Sequence, residues 1–309
     1  MGFPTIQYVA VTIGAALVPF LAQGLSRETL GAVASRIVWV VAFLINMLTV
    51  SLPGRFDGLQ VEAQKSKQQG RSNFKGGIPW TPVFAPAGWA FAIWGIIYAG
   101  ELLATVAIGL GCMDSVLDSL PFWVAANLFQ SLWCGSFRPS FANHLYIPSI
   151  LLALAATSQL WCHAEITSVI DSSTSLWKKG GLLLFRFPVA LHAGWLCAAC
   201  LLNLNGWAAR SKLEMGTQVA LAMASTYVAT ALAAVLTFVR GDPFLALTVA
   251  WALKAVSLQT RSQSAAEIIN LPVVAKEALA LTEDFFSSFL IGVGVVAPLF
   301  RREIRNFDL

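Results

Sequence analysis

Long runs of apolar residues, separated mostly by short polar joints, make up the greater part of this chain. A helix needs roughly 18 or more apolar residues to cross the hydrocarbon of a bilayer, and about eight runs here are candidates. The runs are continuous, whereas the strands of a membrane barrel would alternate apolar and polar residues over about ten positions. Because backbone polar groups in lipid must be satisfied within each segment, the pattern predicts an all-α, polytopic transmembrane helical bundle.

Turn and capping residues help to place the ends of these runs. The first run, 8–25, contains Pro19 and is expected either to span the bilayer or to lie at its interface. A helix-start cluster at Ser26 precedes the second run, 32–52. A Gly-Asp-Pro turn at 241–243 predicts an antiparallel hairpin between the runs on either side of it. Further spans are predicted at 87–110, 120–137, 146–163, 182–204, 217–239, 244–258 and 285–300.

One polar stretch, 55–78, is much longer than the other connections. It leads into a segment rich in aromatic residues and proline at 78–86. Loops beyond about 12 to 15 residues are commonly lids or binding segments. The sequence therefore predicts a functional loop after the second span.

The composition agrees with a membrane protein. Hydrophobic residues make up 57% of the chain and charged residues 12%, with a mean hydropathy of +0.70. The net charge of +4 is spread over the loops, which argues against a nucleic-acid partner. The five cysteines fall mostly in or beside apolar runs, so they do not indicate a disulfide framework. The chain has no recognisable catalytic motif, and we expect no enzymatic activity and no metal site.

Charged residues inside predicted spans are informative, because a charge at the bilayer centre costs about 2.5 to 3.5 kcal/mol on insertion scales. Glu101 shares a helix face with Trp94 and Tyr98 and is expected to pair with a neighbour such as Lys254. The same two charges are the candidates for the coupled pair that a transporter would need. In the last span, acidic residues at 283–284 are expected near the helix N-terminus, where they would suit its dipole.

Two further spans carry stripes of polar residues. A stripe on 120–137 must face protein or a cavity, and hydrogen bonding between helices explains it equally well; its members are Asn127, Gln130, Ser131 and Cys134. His192 lies on one face of 182–204 and is either a packing residue or an axial ligand to a metal-tetrapyrrole. His163 and His192 are both expected to lie near helix ends and to be solvated.

Three sequence blocks occur in an order that is typical of a known family. They are FAPAGWAFAIWGIIY at 84–98, NLFQSLWCGSF at 127–137, and PVALHAGW at 188–195 with its continuation to Trp207. Together they resemble the translocator protein family, TspO/MBR, which includes the peripheral benzodiazepine receptor and bacterial tryptophan-rich sensory proteins. The resemblance is closest to a longer branch that adds helices after a five-helix core. It implies an N-terminal helix at 1–30, a core at 31–210 with a long loop at 53–85, and about three appended helices within 211–309.

The resemblance also implies a pocket that takes porphyrins, sterols or synthetic aromatic ligands, with the long loop as its lid. Carried over by position, the ligand-binding candidates are Trp80, Phe84, Pro86, Trp94, Tyr98, Asn127, Trp133, His192, Trp195, Ala199 and Asn203. The sequence departs from the family at His192, where an aromatic Trp or Tyr is usual. It also departs at Trp207, which replaces the tyrosine of a cholesterol-type motif ending at Arg210.

Two functional hypotheses follow. The first is a sensor-like or translocator-like protein that binds a flat hydrophobic ligand in a tryptophan-lined pocket; candidate ligands are a porphyrin, haem, a chlorophyll-type pigment or a sterol. The second is a TspO-like structural subunit of a larger respiratory or photosynthetic membrane complex. The expected partners are the lipid bilayer, the ligand, and either a second copy in a homodimer or other subunits. The organelle and the orientation stay open.

Overall fold

The computed structural model describes residues 3–57, 82–173, 175–262 and 273–307. Within these ranges the regular structure is entirely helical, which confirms the predicted all-α bundle. The α-helices are α1 (Phe3–Gln23), α2 (Arg27–Ser51), α3 (Ile93–Gly109), α4 (Leu120–Ser136), α5 (Tyr146–Ser172), α6 (Leu176–Arg210), α7 (Met215–Arg240), α8 (Pro243–Arg261) and α9 (Val273–Phe307). Short 3-10 helices lie at Gly88–Ala92, Asp114–Ser119 and Pro139–Phe141.

Six of the described helices are long and apolar enough to cross a membrane: α2, α3 with the 3-10 turn before it, α5, α6, α7 and α9. The apolar part of α1, Ala10–Gln23, is shorter. The chain is therefore an integral, multi-pass membrane protein.

Local sequence explains where several helices begin and end. The side chain of Ser26 accepts a hydrogen bond from the backbone N–H of Thr29 at 3.2 Å, which caps α2 as predicted. Gly31 interrupts α2 with a φ of +75°, so its straight part starts at residue 32. The predicted hairpin is confirmed: Gly241 ends α7 in the left-handed region, and Asp242 caps α8 by accepting from the N–H of Phe244 at 3.0 Å.

The helices bury three apolar clusters. One lies among α1, α3, α4, α5, α6 and α8, and a second among α2, α3, α4, α5 and α6. A third belongs to α7, α8 and α9, and it includes Val83 and Phe84 from the segment before α3. Residues 82–92 are called the lead-in segment below. Because Val83 and Phe84 of the lead-in segment are buried against the C-terminal helices, those helices position the start of α3.

The last helix corrects one prediction. It begins at Val273, well before the expected start at 285, so Glu283 and Asp284 lie inside it, and their predicted place at its N-terminus is wrong. Partners on α8 allow acidic residues there: Asp284 pairs with Lys254 at 2.8 Å, and the Thr260 hydroxyl donates to Glu283 at 3.4 Å.

His163 corrects another prediction. Helix α5 continues to Ser172, so His163 lies inside it and is fully buried, where solvation was expected. Its Nε2 donates to Asp242 Oδ2 at 2.8 Å, and Arg186 Nε lies 2.9 Å from the same oxygen. Burial raises the pKa of Asp242, but the hydrogen bond from His163 and the charge of Arg186 outweigh it, so the pKa of Asp242 lies below its usual range.

The predicted division into 1–30, 31–210 and 211–309 stays a prediction. Most of the predicted loop at 53–85, including Trp80, lies outside the described residues.

Candidate functional site

Two hydrogen bonds from the lead-in segment to α8 fix the approach to α3. The backbone N–H of Ala87 donates to the carbonyl of Ala255 at 3.0 Å. The indole Nε1 of Trp251 donates to the carbonyl of Ala90 at 3.1 Å. Phe84, only 1% exposed, anchors the same segment in the cluster of the C-terminal helices. The aromatic residues that follow on α3 are therefore held against the rest of the bundle.

Aromatic rings from α3 and α6 meet in one group. Trp94 stacks on Tyr98, four residues later on α3, with centroids 5.4 Å apart. The Trp94 ring also forms T-shaped pairs with His192 and Trp195, with ring centroids 5.4 Å and 6.2 Å away. The two helices approach closely at Gly100, where an added Cβ would lie 2.7 Å from Cβ of Pro188. The glycine is therefore needed for these rings to meet.

A cavity opens beside this aromatic group. It has a volume of about 140 Å³ and is partly open to the surroundings. Seven of the predicted site residues line it: Phe84, Pro86, Trp94, Trp133, Trp195, Ala199 and Asn203. Sequence reasoning missed the other lining residues among those described, which are Asp57, Pro82, Ala85, Gly88, Phe91, Phe137, Leu145, Leu152, Leu202, Gly206 and Gln259.

Hydrogen bonds and ring contacts hold the wall on the α4 side. Trp133 Nε1 donates to Asn203 Oδ1 at 3.3 Å, and Asn203 Nδ2 donates to the carbonyl of Ala199 at 3.0 Å. The guanidinium of Arg55 lies 5.5 Å from the centre of the Trp133 ring. Arg55 also pairs with both carboxylate oxygens of Asp57 at 3.0 Å. The indole face of Trp133 is thus fixed in orientation.

Three predicted site residues lie behind this wall. Tyr98 accepts a hydrogen bond from Gln130 Nε2 at 3.0 Å and borders a second cavity. Asn127 accepts from Asn46 Nδ2 at 2.9 Å, and the same Asn46 nitrogen donates to Gln130 at 2.8 Å. The polar stripe on α4 therefore faces protein, as predicted. Asn46 was missed, although it continues the buried face of α2 that contains Trp39 and Phe43.

His192, the third of these residues, belongs to a buried polar group with Glu101 and Gln159. It is 2% exposed and lies inside α6, so its predicted solvation near a helix end is wrong. His192 Nδ1 lies 2.8 Å from Glu101 Oε1, and Gln159 Nε2 donates to the same oxygen at 3.1 Å. His192 contacts the Trp94 ring but does not itself line the cavity. The predicted pairing of Glu101 with Lys254 is wrong, because Glu101 on α3 faces α5 and α6, whereas Lys254 on α8 is half exposed and pairs with α9.

The cavity is chemically simple. Its described walls are mostly aromatic and aliphatic, with polar side chains at a few positions only: Asp57, Asn203 and Gln259. A concave, mostly apolar site with few polar groups is typical of small-molecule binding. Indole and phenyl rings offer faces and edges for stacking against another flat ring.

Comparison with known proteins gives one match. A family model described as TSPO-like protein matches residues 32–283, well over half of the chain. No curated protein and no solved structure matches. The matched region starts directly after the break at Gly31 and contains the three sequence blocks and the cavity-lining residues of α3, α4, α6 and α8. The chain therefore belongs to the TSPO-like protein family.

Proposed function

We propose that this protein binds a flat, hydrophobic small molecule in the cavity beside Trp94, with a tetrapyrrole as the first candidate class and a sterol as the second. The observation that carries the proposal is the wall of three indoles, Trp94, Trp133 and Trp195, around one largely apolar space. Their rings are held by packing and hydrogen bonds, so little side-chain freedom would be lost when a ligand binds.

The cavity is small for a multi-ring ligand. Its volume is about 140 Å³, whereas small-molecule sites commonly enclose about 300 to 1000 Å³, so the proposed macrocycle would extend through the open side of the cavity. Ala199 and Gly206, which have small side chains or none, line one wall. The indole faces favour an aromatic macrocycle over the aliphatic rings of a sterol.

The proposed role is reversible binding within the bilayer, as a sensor or a translocator would require, without catalysis. Family membership supports this role at a coarse level. The buried position of His192 behind Trp94 favours a ligand held by stacking over a metal-tetrapyrrole ligated by the imidazole.

A titration of the purified, detergent-solubilised protein with protoporphyrin IX tests the proposal. The readout is the shift of the porphyrin absorption band, which does not depend on the number of tryptophans in each variant. We expect saturable binding in the wild type and about tenfold weaker binding in Trp195→Leu, because an aromatic contact contributes about 0.5 to 1.5 kcal/mol and 1.4 kcal/mol is tenfold.

Trp161→Leu is the matched control, since Trp161 on α5 is 52% exposed and does not line the cavity. Its affinity for the porphyrin should equal that of the wild type. Saturation with cholesterol but not with the porphyrin would favour the sterol class. Failure of both to bind, together with co-purifying subunits, would replace the proposal with a structural role in a larger complex.

A further inference from the structure

One face of α8 runs along the lead-in segment and ends at the cavity. Trp251, Ala255 and Gln259 are spaced four residues apart and therefore lie on the same side of the helix. The first two make the hydrogen bonds to the lead-in segment described above. Gln259, one turn further along, lines the cavity. The helix face that contacts the lead-in segment therefore also reaches the cavity.

The side-chain amide of Gln259 has no hydrogen-bond partner among the described residues, although its backbone carbonyl accepts from the N–H of Ser262 at 3.1 Å. The other polar side chains of the cavity wall are already engaged. Asn203 uses both its oxygen and its nitrogen within the protein, and both oxygens of Asp57 are held by Arg55. Gln259 is therefore the described lining residue that can still offer both a donor and an acceptor to a ligand.

We infer that Gln259 is a specificity-determining residue, which hydrogen-bonds a polar group at the edge of an otherwise flat, apolar ligand. This inference rests on the proposed function. A carboxylic acid, a carbonyl or a hydroxyl at the ligand's rim complements the amide, whereas a purely hydrocarbon rim leaves the amide unpaired and loses affinity. The inferred ligand is therefore a flat, apolar molecule with a polar group at its rim. Helix α8, which lies outside the predicted five-helix core, contributes to the binding site.

Two porphyrins with similar macrocycles test the inference in the purified protein. Protoporphyrin IX carries two carboxylic acid groups at its rim, whereas etioporphyrin carries alkyl groups only. We expect the wild type to prefer protoporphyrin IX by about tenfold, since an unpaired polar group costs on the order of 1 to 3 kcal/mol. Gln259→Leu should reduce that preference to about twofold or less, mainly by weakening protoporphyrin IX.

The comparison uses the ratio of the two affinities in each variant, so different partitioning of the porphyrins into detergent cancels between variant and wild type. Gln259→Glu keeps the size of the side chain, removes its donor and adds a negative charge. It should therefore lower the affinity for protoporphyrin IX more than the affinity for etioporphyrin. Gln218→Leu, the same substitution on α7 away from the cavity, should leave the ratio unchanged.

The outcomes separate the two proposals. If neither porphyrin nor cholesterol binds to the wild type, the proposed function fails. If the porphyrins bind but Gln259→Leu and Gln259→Glu leave their affinity ratio at the wild-type value, the role of Gln259 is wrong while the cavity assignment stands. An equal loss for both porphyrins would likewise refute the inference, because it would indicate damage to the cavity and not a lost polar contact.

Discussion

The buried group of Glu101, His192 and Gln159 allows a prediction of which of two substitutions destabilises the protein more. Glu101 is fully buried, and one of its oxygens receives both hydrogen bonds of the group. The substitution His192→Phe removes the closer partner and leaves the acidic side chain with Gln159 alone. The substitution Glu101→Leu leaves His192 and Gln159. His192 Nδ1 and Gln159 Nε2 lie 3.4 Å apart, so these two side chains can still contact each other. We therefore expect His192→Phe to be the more destabilising change.

Two kinds of measurement on other proteins bound the expected loss in the free energy of unfolding. Removing one partner of a buried ion pair in a water-soluble protein costs about 3 to 5 kcal/mol. Side-chain hydrogen bonds within membrane bundles average about 0.6 kcal/mol and reach about 1.7 kcal/mol. We expect about 2 to 3 kcal/mol for His192→Phe and about 1 to 2 kcal/mol for Glu101→Leu. The double variant, which replaces the pair by apolar side chains, should cost about as much as Glu101→Leu alone.

The assay is a double-mutant cycle on the free energy of unfolding, measured by titration with dodecyl sulfate in mixed micelles. The predicted interaction energy between the two positions is on the order of 2 kcal/mol. Additive effects within about 0.5 kcal/mol would refute the reasoning, because independent sites show additivity of this kind. A larger cost for Glu101→Leu than for His192→Phe would also contradict it, since the ordering rests on which group is left alone.

Three further predictions concern helix contacts. Gly100→Ala should destabilise the protein by about 1 to 3 kcal/mol through the clash with Pro188, whereas Gly95→Ala on the same helix, with open space around the new Cβ, should be neutral or stabilising in the same unfolding assay. The folded-state pKa of Asp242 is lowered, so ionised Asp242 stabilises the folded protein at pH values above its ordinary pKa of about 3.9. This stability is lost as the pH falls through the folded-state pKa. Asp242→Asn should therefore make the free energy of unfolding less dependent on pH in this acid range. Trp251→Phe, which loses its bond to the lead-in segment, should weaken porphyrin binding several-fold with little change in the melting temperature, and an unaltered affinity would contradict the positioning role.

Much of the fold was predictable because each span is determined by its own composition. The hairpin at 241–243 and the cap at Ser26 are likewise local features, since a few neighbouring residues set both. The last helix was placed too late because its first turns are amphipathic, and their acidic residues become acceptable only with Lys254 and Arg261 opposite them. Helix ends that depend on a partner helix cannot be read from one segment alone.

The partners of buried polar groups were the least predictable part of the site. Glu101 was recognisable as a residue that needs a partner, but its choice of His192 depends on α3 lying beside α6 and not beside α8. Gln159 gives no signal in the sequence, because a single glutamine in an apolar helix is common enough to pass unnoticed. Seven of the residues carried over from the family resemblance line the cavity, since those positions belong to motifs with a fixed order; their role in ligand binding stays a prediction.

The role of α8 shows where a resemblance to a five-helix core stops being informative. The core motifs place Trp94 and Trp195, yet the lead-in segment that orients Trp94 is bonded to Ala255 and Trp251 on α8. The same helix face supplies Gln259 to the cavity. Changes in the C-terminal helices should therefore alter ligand preference without touching any residue of the core motifs. On the proposed function, ligand specificity should depend on α8 as well as on the core motifs, because part of the cavity wall lies on α8, outside the predicted five-helix core.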